Sequence, residues 1–375
     1  VTRPPAAKEL DKVVREAIVD VAREIHGTIL KDRKPTLRFP IRSLKNVKYD
    51  REVGYLEILG QEAERTLTVN TVKPFAQTLR MMALSKLMVD MDEHATKRDA
   101  YYQSKNWGDA RFDEQPESDT VMDDIEAMFA VRGVTREQLR YVPDEHGGAV
   151  AGELVVIDRD RETGEKIEID CTRFGSGAYT VPSDVEYLKF RTKAKFVLAI
   201  ETGGVFDRLN RHKYWQKANC ILIAMGGVPT RACRRFIRRL SEENKLAVYA
   251  FVDGDPYGIA NIYRTLKVGS GNAAHINRFF CVPNARFLGV MPQDIIDFDL
   301  GKATHPLKDV DIKRAKDALK NDPFFLEHKQ WKQALNQMIE MGVRVEQQAF
   351  ALHRLNYVTE EYLPRKIADP KKFLP

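Results

Sequence analysis

Cysteine is scarce in this chain of 375 residues: four, at positions 171, 220, 233 and 281. That spacing rules out a CxxC zinc or dithiol motif and points to free thiols in a reducing compartment. Long apolar runs are missing too. Stretches such as CILIAM at 220–225 and LAVYAFV at 246–252 fall far short of the ~20 residues a bilayer-crossing helix needs. The segment VTRPPAAKELDK lacks the apolar core of a secretory leader, so neither a membrane-spanning nor a secreted protein is expected. There is no GxxxxGK[ST] loop, and hence no phosphate cradle of the P-loop kind. GSGNAA at 269–274 imitates a dinucleotide fingerprint, but it follows a helical segment where a strand is required. A strong charge of one sign is also absent. The formal net charge of +6, from 60 basic and 54 acidic side chains, does not by itself demand a polyanionic partner.

What is present reads as an ordinary globular protein, 43% hydrophobic and 30% charged, long enough for two or three domains at ~150 residues each. Charge is unevenly spread. Residues 107–150 carry 4 Lys/Arg against 11 Asp/Glu, whereas residues 207–245 carry 10 against 3 and residues 1–50 carry 12 against 7.

The spacing of Leu10, Val13, Val14, Ala17, Ile18, Val21 and Ile25 predicts an amphipathic helix over 8–26 that stops at Gly27, with an apolar face free for a partner or dimer contact. Strand-like pieces over 35–70 suggest a small β arm. From Thr71 the helical period returns, with Phe75, Leu79, Met82, Leu87 and Met91 on one face. Thr96 is placed to cap a helix through KRDAYYQSK, Ser118 a third helix, and Thr135 with Gln138 a fourth. ELVVID and KIEIDCTRF flank the polar turn RDRETGEK as a hairpin. Helices, a tight turn and a hairpin describe a winged helix-turn-helix, or equally a helical bundle with a hairpin attached. Beyond residue 190, KFVLAI, CILIAM, LAVYAFV, RFFCV and RFLGVM alternate with amphipathic helices, the rhythm of a parallel, doubly wound sheet. The segment 306–360 reads as helical, with a break at Gly342.

Glu201 follows KFVLAI, and Asp253 and Asp255 follow LAVYAFV, all at C-terminal strand ends, where such sheets bind ligands. Two readings stand: DGD as a surface turn in which Gly254 lets the backbone bend, or a site where oxygen-only donors select magnesium or manganese. Arg98 and Tyr102 lie four apart in KRDAYYQSK, on one helical face. Tyr101 and Tyr102 are either a core ring and a rim ring or the setting for a nucleophilic phenol. In TRACRRFIRRL the wheel turns Cys233, Phe236, Ile237 and Leu240 inward and Arg231, Arg234, Arg235, Arg238 and Arg239 largely outward, as a solvated face or a phosphate-neutralising one.

Taken together, RDAYY, ETGG at 201–204, GGVPTR at 226–231, DGDPYG at 253–258 and YLPRKI at 362–367 closely resemble the A subunits of DNA topoisomerase VI. This is the type IIB family that includes the meiotic double-strand-break proteins, and the archaeal members match better. The resemblance runs from about residue 67 onward. It implies an α/β with α+β fold: a CAP-like winged helix-turn-helix domain over 67–174, after an N-terminal helix and arm over 1–66, then a Toprim domain with C-terminal helices over 175–375. It also implies Tyr102 as nucleophile towards a DNA phosphodiester, forming a 5′-phosphotyrosyl link, and Arg98 as the group that holds the phosphate. Glu201, Asp253 and Asp255 become magnesium ligands, with manganese as a substitute. The implied assembly on double-stranded DNA pairs a homodimer with ATPase B subunits as an A2B2 heterotetramer, ATP being bound by the partner and not by this chain. A cytoplasmic, nucleoid-associated location follows. Two rival expectations are a non-catalytic winged-helix DNA-binding protein and a phosphatase-like α/β enzyme using Asp253.

Overall fold

The apolar stripe through Leu10, Val14, Ala17, Ile18 and Ile25 forms the buried side of the first helix, Ala7–Ile29. Gly27 does not stop it, because a helical glycine costs only ~1 kcal/mol and the helix runs on for two more residues. The expected free face is covered from within the chain. Ile18 and its neighbours pack with Phe75, Met82 and Val89 of the helix Val72–Met91, so Leu10 and Ile18 are buried and offer no docking surface.

The computed structural model describes residues 7–143, 147–160 and 163–375. These divide into two units, where three segments are expected. The first is built from the described residues of 1–48, 57–145 and 271–276, the second from those of 49–56, 146–270 and 277–375.

In the first unit the strands Thr36–Pro40 and Glu62–Thr66 pair antiparallel, and the helices Val72–Met91, Lys97–Gln103 and Gln115–Ala130 follow. The buried side of Val72–Met91 runs through Phe75, Met81, Met82, Met88 and Val89, rotated from the expected one, and Leu87 and Met91 are exposed. The third helix begins at Gln115 with Pro116 in its first turn, so Ser118 lies inside it and bonds back to Gln115 O. At Thr135 the capping contacts do form, Gln138 Oε1 accepting from Thr135 N at 2.8 Å, but they close turns and no helix follows.

The hairpin is real: Val155–Arg159 pairs antiparallel with Lys166–Asp170, and its turn passes through residues 161–162, outside the described residues. Yet it belongs to the second unit, joined by Lys189–Arg191 in a three-stranded sheet.

The main sheet of the second unit has the order Tyr179–Thr180, Ala149–Gly152, Cys220–Ala224, Phe196–Ile200, Ala247–Phe251, Ala285–Gly289. Its last four strands are parallel and the first two antiparallel. Cys220–Ala224 and Phe196–Ile200 are buried at every residue, as strands covered on both faces must be. RFFCV does not make a strand; its first residues end the helix Ala274–Phe280, and the edge strand is Ala285–Gly289. The four cysteines are free and buried, and burial pushes the thiols of Cys171, Cys233 and Cys281 up to about 12. No described helix is long and apolar enough to cross a membrane.

The arginines of the helix Arg231–Asn244 contradict the outward placement. Arg234, Arg235, Arg238 and Arg239 are all buried. Arg235 forks onto Glu186 with Nε–Oε1 2.5 Å and Nη2–Oε2 2.9 Å, and its Nη1 donates to Phe279 O. Arg238 donates to Cys281 O and Glu242, and Arg239 to the carbonyls of Val185 and Leu188 and to Glu243. Arg231 lies over the Phe280 ring. Guanidinium groups are here used to satisfy buried carbonyls, because the helix is flanked by chain on the sides a free-standing wheel leaves in water. Arg235→Gln is expected to lower stability by ~3 kcal/mol, the penalty for orphaning the largely desolvated Glu186 charge. Adding Glu186→Gln should recover part of it, and urea denaturation of the single and double variants checks both.

Candidate active site

In the parallel part of the sheet the strand order by sequence is second, first, third, fourth, which puts a topological switch between Phe196–Ile200 and Ala247–Phe251. In sheets of this kind, ligands bind outside the C-terminal strand ends at such a switch. Ile200 and Phe251 are the last paired residues; Glu201 follows at once and Asp253 after Val252. Glu201 N donates to Phe251 O at 3.0 Å, while Glu201 Oε2 accepts from Asp253 N at 2.8 Å. The sheet thus brings together the acids expected at its strand ends.

The segment after Gly342 packs against these acids, and the sequence marks it only faintly. Gly342 ends the helix Lys329–Met341 in the left-handed conformation at φ 66°, and Val343–Val345 then returns as a strand. Gly254 N donates to Val345 O at 2.8 Å and Val345 N to Gly254 O at 3.1 Å. This explains the glycine in DGD better than a turn does: a Cβ at residue 254 would lie 2.7 Å from both Val290 O and Val345 Cγ1. Behind that bridge Gln347 N donates to Asp253 Oδ1 at 2.8 Å. Asp255 Oδ1 accepts from Gly258 N at 2.6 Å, and its Oδ2 lies 3.7 Å from Arg344 Nη1. The only hint in the sequence is a helix-stopping glycine followed by the alternating VRVEQ.

These acids are held against their preference for water. Burial, then the neighbouring Asp253 charge, pushes Glu201 up to about 8. Burial likewise pushes Asp253 up to about 6, with Asp255 and Glu346 adding to the effect and Arg344 opposing it. One oxygen of each acid is turned to a backbone N–H, and among the described residues no three His, Cys, Asp or Glu side chains form a ready-made metal cage. The donor set still suits a hard divalent cation: it is all oxygen, and its desolvated negative charge lacks a full counter-charge.

Tyr102 and Arg98 lie in the first unit. Thr96 and Asp99 form a reciprocal capping box at the start of Lys97–Gln103, which fixes the helix that carries them. Tyr101 Oη donates to Asp113 O at 3.0 Å, and Lys105 Nζ sits 4.1 Å from its ring centre. Tyr101 is therefore tied down. Tyr102 is 56% exposed, Arg98 is exposed as well, and the Tyr102 hydroxyl has no hydrogen-bond partner among the described residues. Of the two hydroxyls, that of Tyr101 is bonded within the described chain and that of Tyr102 is not.

Comparison with known proteins agrees with this geometry. Residues 196–367 match the Toprim domain shared by Spo11 and the topoisomerase 6 A subunit, residues 144–194 the all-beta domain in the alpha subunit of DNA topoisomerase VI, and residues 73–140 the type IIB DNA topoisomerase family. The chain is 50% identical over 372 residues to the A subunit of type 2 DNA topoisomerase 6 from Methanocaldococcus jannaschii, covering 99% of each. It is 35% identical to that of Pyrococcus abyssi, covering 96% of this chain and 94% of the other, and 33% identical to that of Methanosarcina barkeri, covering 96% of each. An exposed tyrosine on a capped helix, a Toprim sheet with carboxylates at its switch point and likeness over nearly the whole length lead to one assignment: the chain belongs to the A subunits of type IIB DNA topoisomerases.

Proposed function

We propose that this chain cuts and rejoins double-stranded DNA through Tyr102. Its oxygen attacks a backbone phosphorus and loses its proton; the bond to the 3′ oxygen breaks, and that oxygen leaves as a hydroxyl after taking up a proton. One phosphoester bond replaces another, so reversal reseals the strand without a nucleotide. The observation that carries the reading is the contrast between Tyr101, bonded to Asp113 O, and Tyr102, 56% exposed. Arg98, one helical turn away, holds the phosphate by charge-assisted hydrogen bonds. Magnesium or manganese held by Glu201, Asp253 and Asp255 supplies stabilisation of the negative charge on the phosphate and departing oxygen. A nucleophilic role for Asp253, as in a phosphatase, is disfavoured by its burial and its bond from Gln347 N.

The helices Val72–Met91, Lys97–Gln103 and Gln115–Ala130 serve as the helix-turn-helix that seats the duplex. Membership of the family supports a homodimer in which the tyrosine of one protomer works with the carboxylates of the other. Strand passage then depends on ATPase B subunits in an A2B2 assembly acting on nucleoid DNA. The purified chain is expected to bind DNA, to hydrolyse no ATP, and to relax supercoiled plasmid only with the ATPase partner, ATP and magnesium. ATP-dependent relaxation by this chain alone would overturn the division of labour. Peptide mapping of the trapped adduct tests the nucleophile, which should be found on the fragment containing Tyr102.

A further inference from the structure

Gln347 is 2% exposed and directs its backbone N–H and both ends of its side-chain amide to the strand ends that carry the acids. Its N donates to Asp253 Oδ1 at 2.8 Å. Its side-chain Nε2 donates to Phe251 O at 2.8 Å, the same carbonyl that accepts from Glu201 N. Its Oε1 accepts from Thr202 Oγ1 at 3.1 Å. One residue is thus bonded to both strand ends that carry the acids and to one of the acids itself. We propose that Gln347 is a positioning residue that sets the spacing of Glu201 and Asp253 for a divalent cation such as magnesium or manganese; this rests on the reading of those carboxylates as a metal site.

The chemistry favours an amide at this position. Glutamine donates and accepts at once, so it serves a carbonyl and a hydroxyl together. Glutamate could not donate to Phe251 O, and it would add a further negative charge beside Glu201, Asp253, Asp255 and Glu346. The backbone of the segment has its own anchors: the Gly254 to Val345 bridge and the pairing of Thr304–Pro306 with Val343–Val345. Loss of the side chain therefore leaves the segment in place but removes its two bonds, to Phe251 O and Thr202 Oγ1, which brace the strand ends carrying Glu201 and Asp253 in addition to their direct contacts.

The test measures Mn2+ binding to the purified full-length chain by electron paramagnetic resonance of the free ion, with thermal melting in EDTA alongside. Gln347→Leu, close in size, should raise the Mn2+ Kd by ~10–100-fold, the usual effect of losing a partner that orients a metal ligand. Thr202→Val, which takes away one bond only, should raise it on the order of fivefold. A lower melting temperature with an unchanged Kd would make Gln347 merely structural and overturn the proposal. Thr202→Val answers the same question if Gln347→Leu does not fold, and a Kd within twofold of the parent in that variant would also overturn it. Failure of the parent chain to bind Mn2+ removes the metal reading and the proposal together. Equal binding by parent and variant removes the role of Gln347 alone.

Discussion

Tyr102→Phe is expected to abolish covalent attachment to DNA while DNA affinity stays within about twofold, since one neutral hydroxyl in so large an interface contributes little. The change deletes one oxygen. The ring stays on its capped helix, 5.4 Å from the Tyr101 ring, and no hydrogen bond within the described chain is lost. Loss of a nucleophile costs ~10^6-fold in rate, so no denaturant-resistant adduct should be detected in the presence of the ATPase partner and magnesium. Tyr101→Phe gives the opposite pattern: it loses the bond to Asp113 O, about 1 kcal/mol of stability, and keeps cutting. Gel separation of protein–DNA adducts from both variants decides the matter. An adduct formed by Tyr102→Phe but not by Tyr101→Phe would show that the other ring carries the reacting oxygen.

Glu201→Gln and Asp253→Asn should each reduce metal-dependent cleavage by at least ~100-fold, because neither amide supplies the charge of a carboxylate ligand. The same changes should make the metal-free protein more stable at alkaline pH. Glu201 is pushed from 4.5 to about 8 by burial, so between those values the folded chain binds more protons than the unfolded one. Stability from this group is therefore fully present below pH ~4.5 and is lost as pH rises towards 8, a change on the order of 5 kcal/mol. Glu201→Gln removes that slope. Magnesium added at pH 8 should raise the melting temperature of the parent and release protons, and do much less for the variant. Thermal melts from pH 5 to 9, with EDTA or with magnesium, measure both effects. A parent melting profile as flat as that of Glu201→Gln would contradict the buried, uncompensated charge.

How far this is legible in the sequence depends on how local the determining interactions are. KFVLAI, CILIAM and LAVYAFV declare buried parallel strands because five-residue apolar runs between helices have few other uses. The acids after them stand out for the same reason. Thr96 and Asp99 are readable as a cap because the whole device lies within four residues. The arginine helix misleads because its side chains are bonded by Glu186, Phe279 and Cys281, at distances along the chain that no helical wheel contains. The hairpin is legible as a pair of strands, while the third strand of its sheet, Lys189–Arg191, is not, because alternation shows that strands pair and not which sheet they join. RFFCV carries aromatic and β-branched residues suited to a strand, yet its first residues lie in a helix, tertiary packing overriding propensity. Val343–Gln347 is invisible because a three-residue strand is too short to show a period and bridges to Gly254, about ninety residues earlier.

That last connection sets an order of events during synthesis. A chain made from its N-terminus folds each unit as its residues emerge, and the helix with Tyr102 needs nothing beyond its own unit's early residues to be capped at Thr96. The carboxylate site cannot close until Val345 and Gln347 have left the ribosome. An unfinished chain, or a fragment from a message broken before that point, thus displays an exposed tyrosine without the framework that arranges the acids.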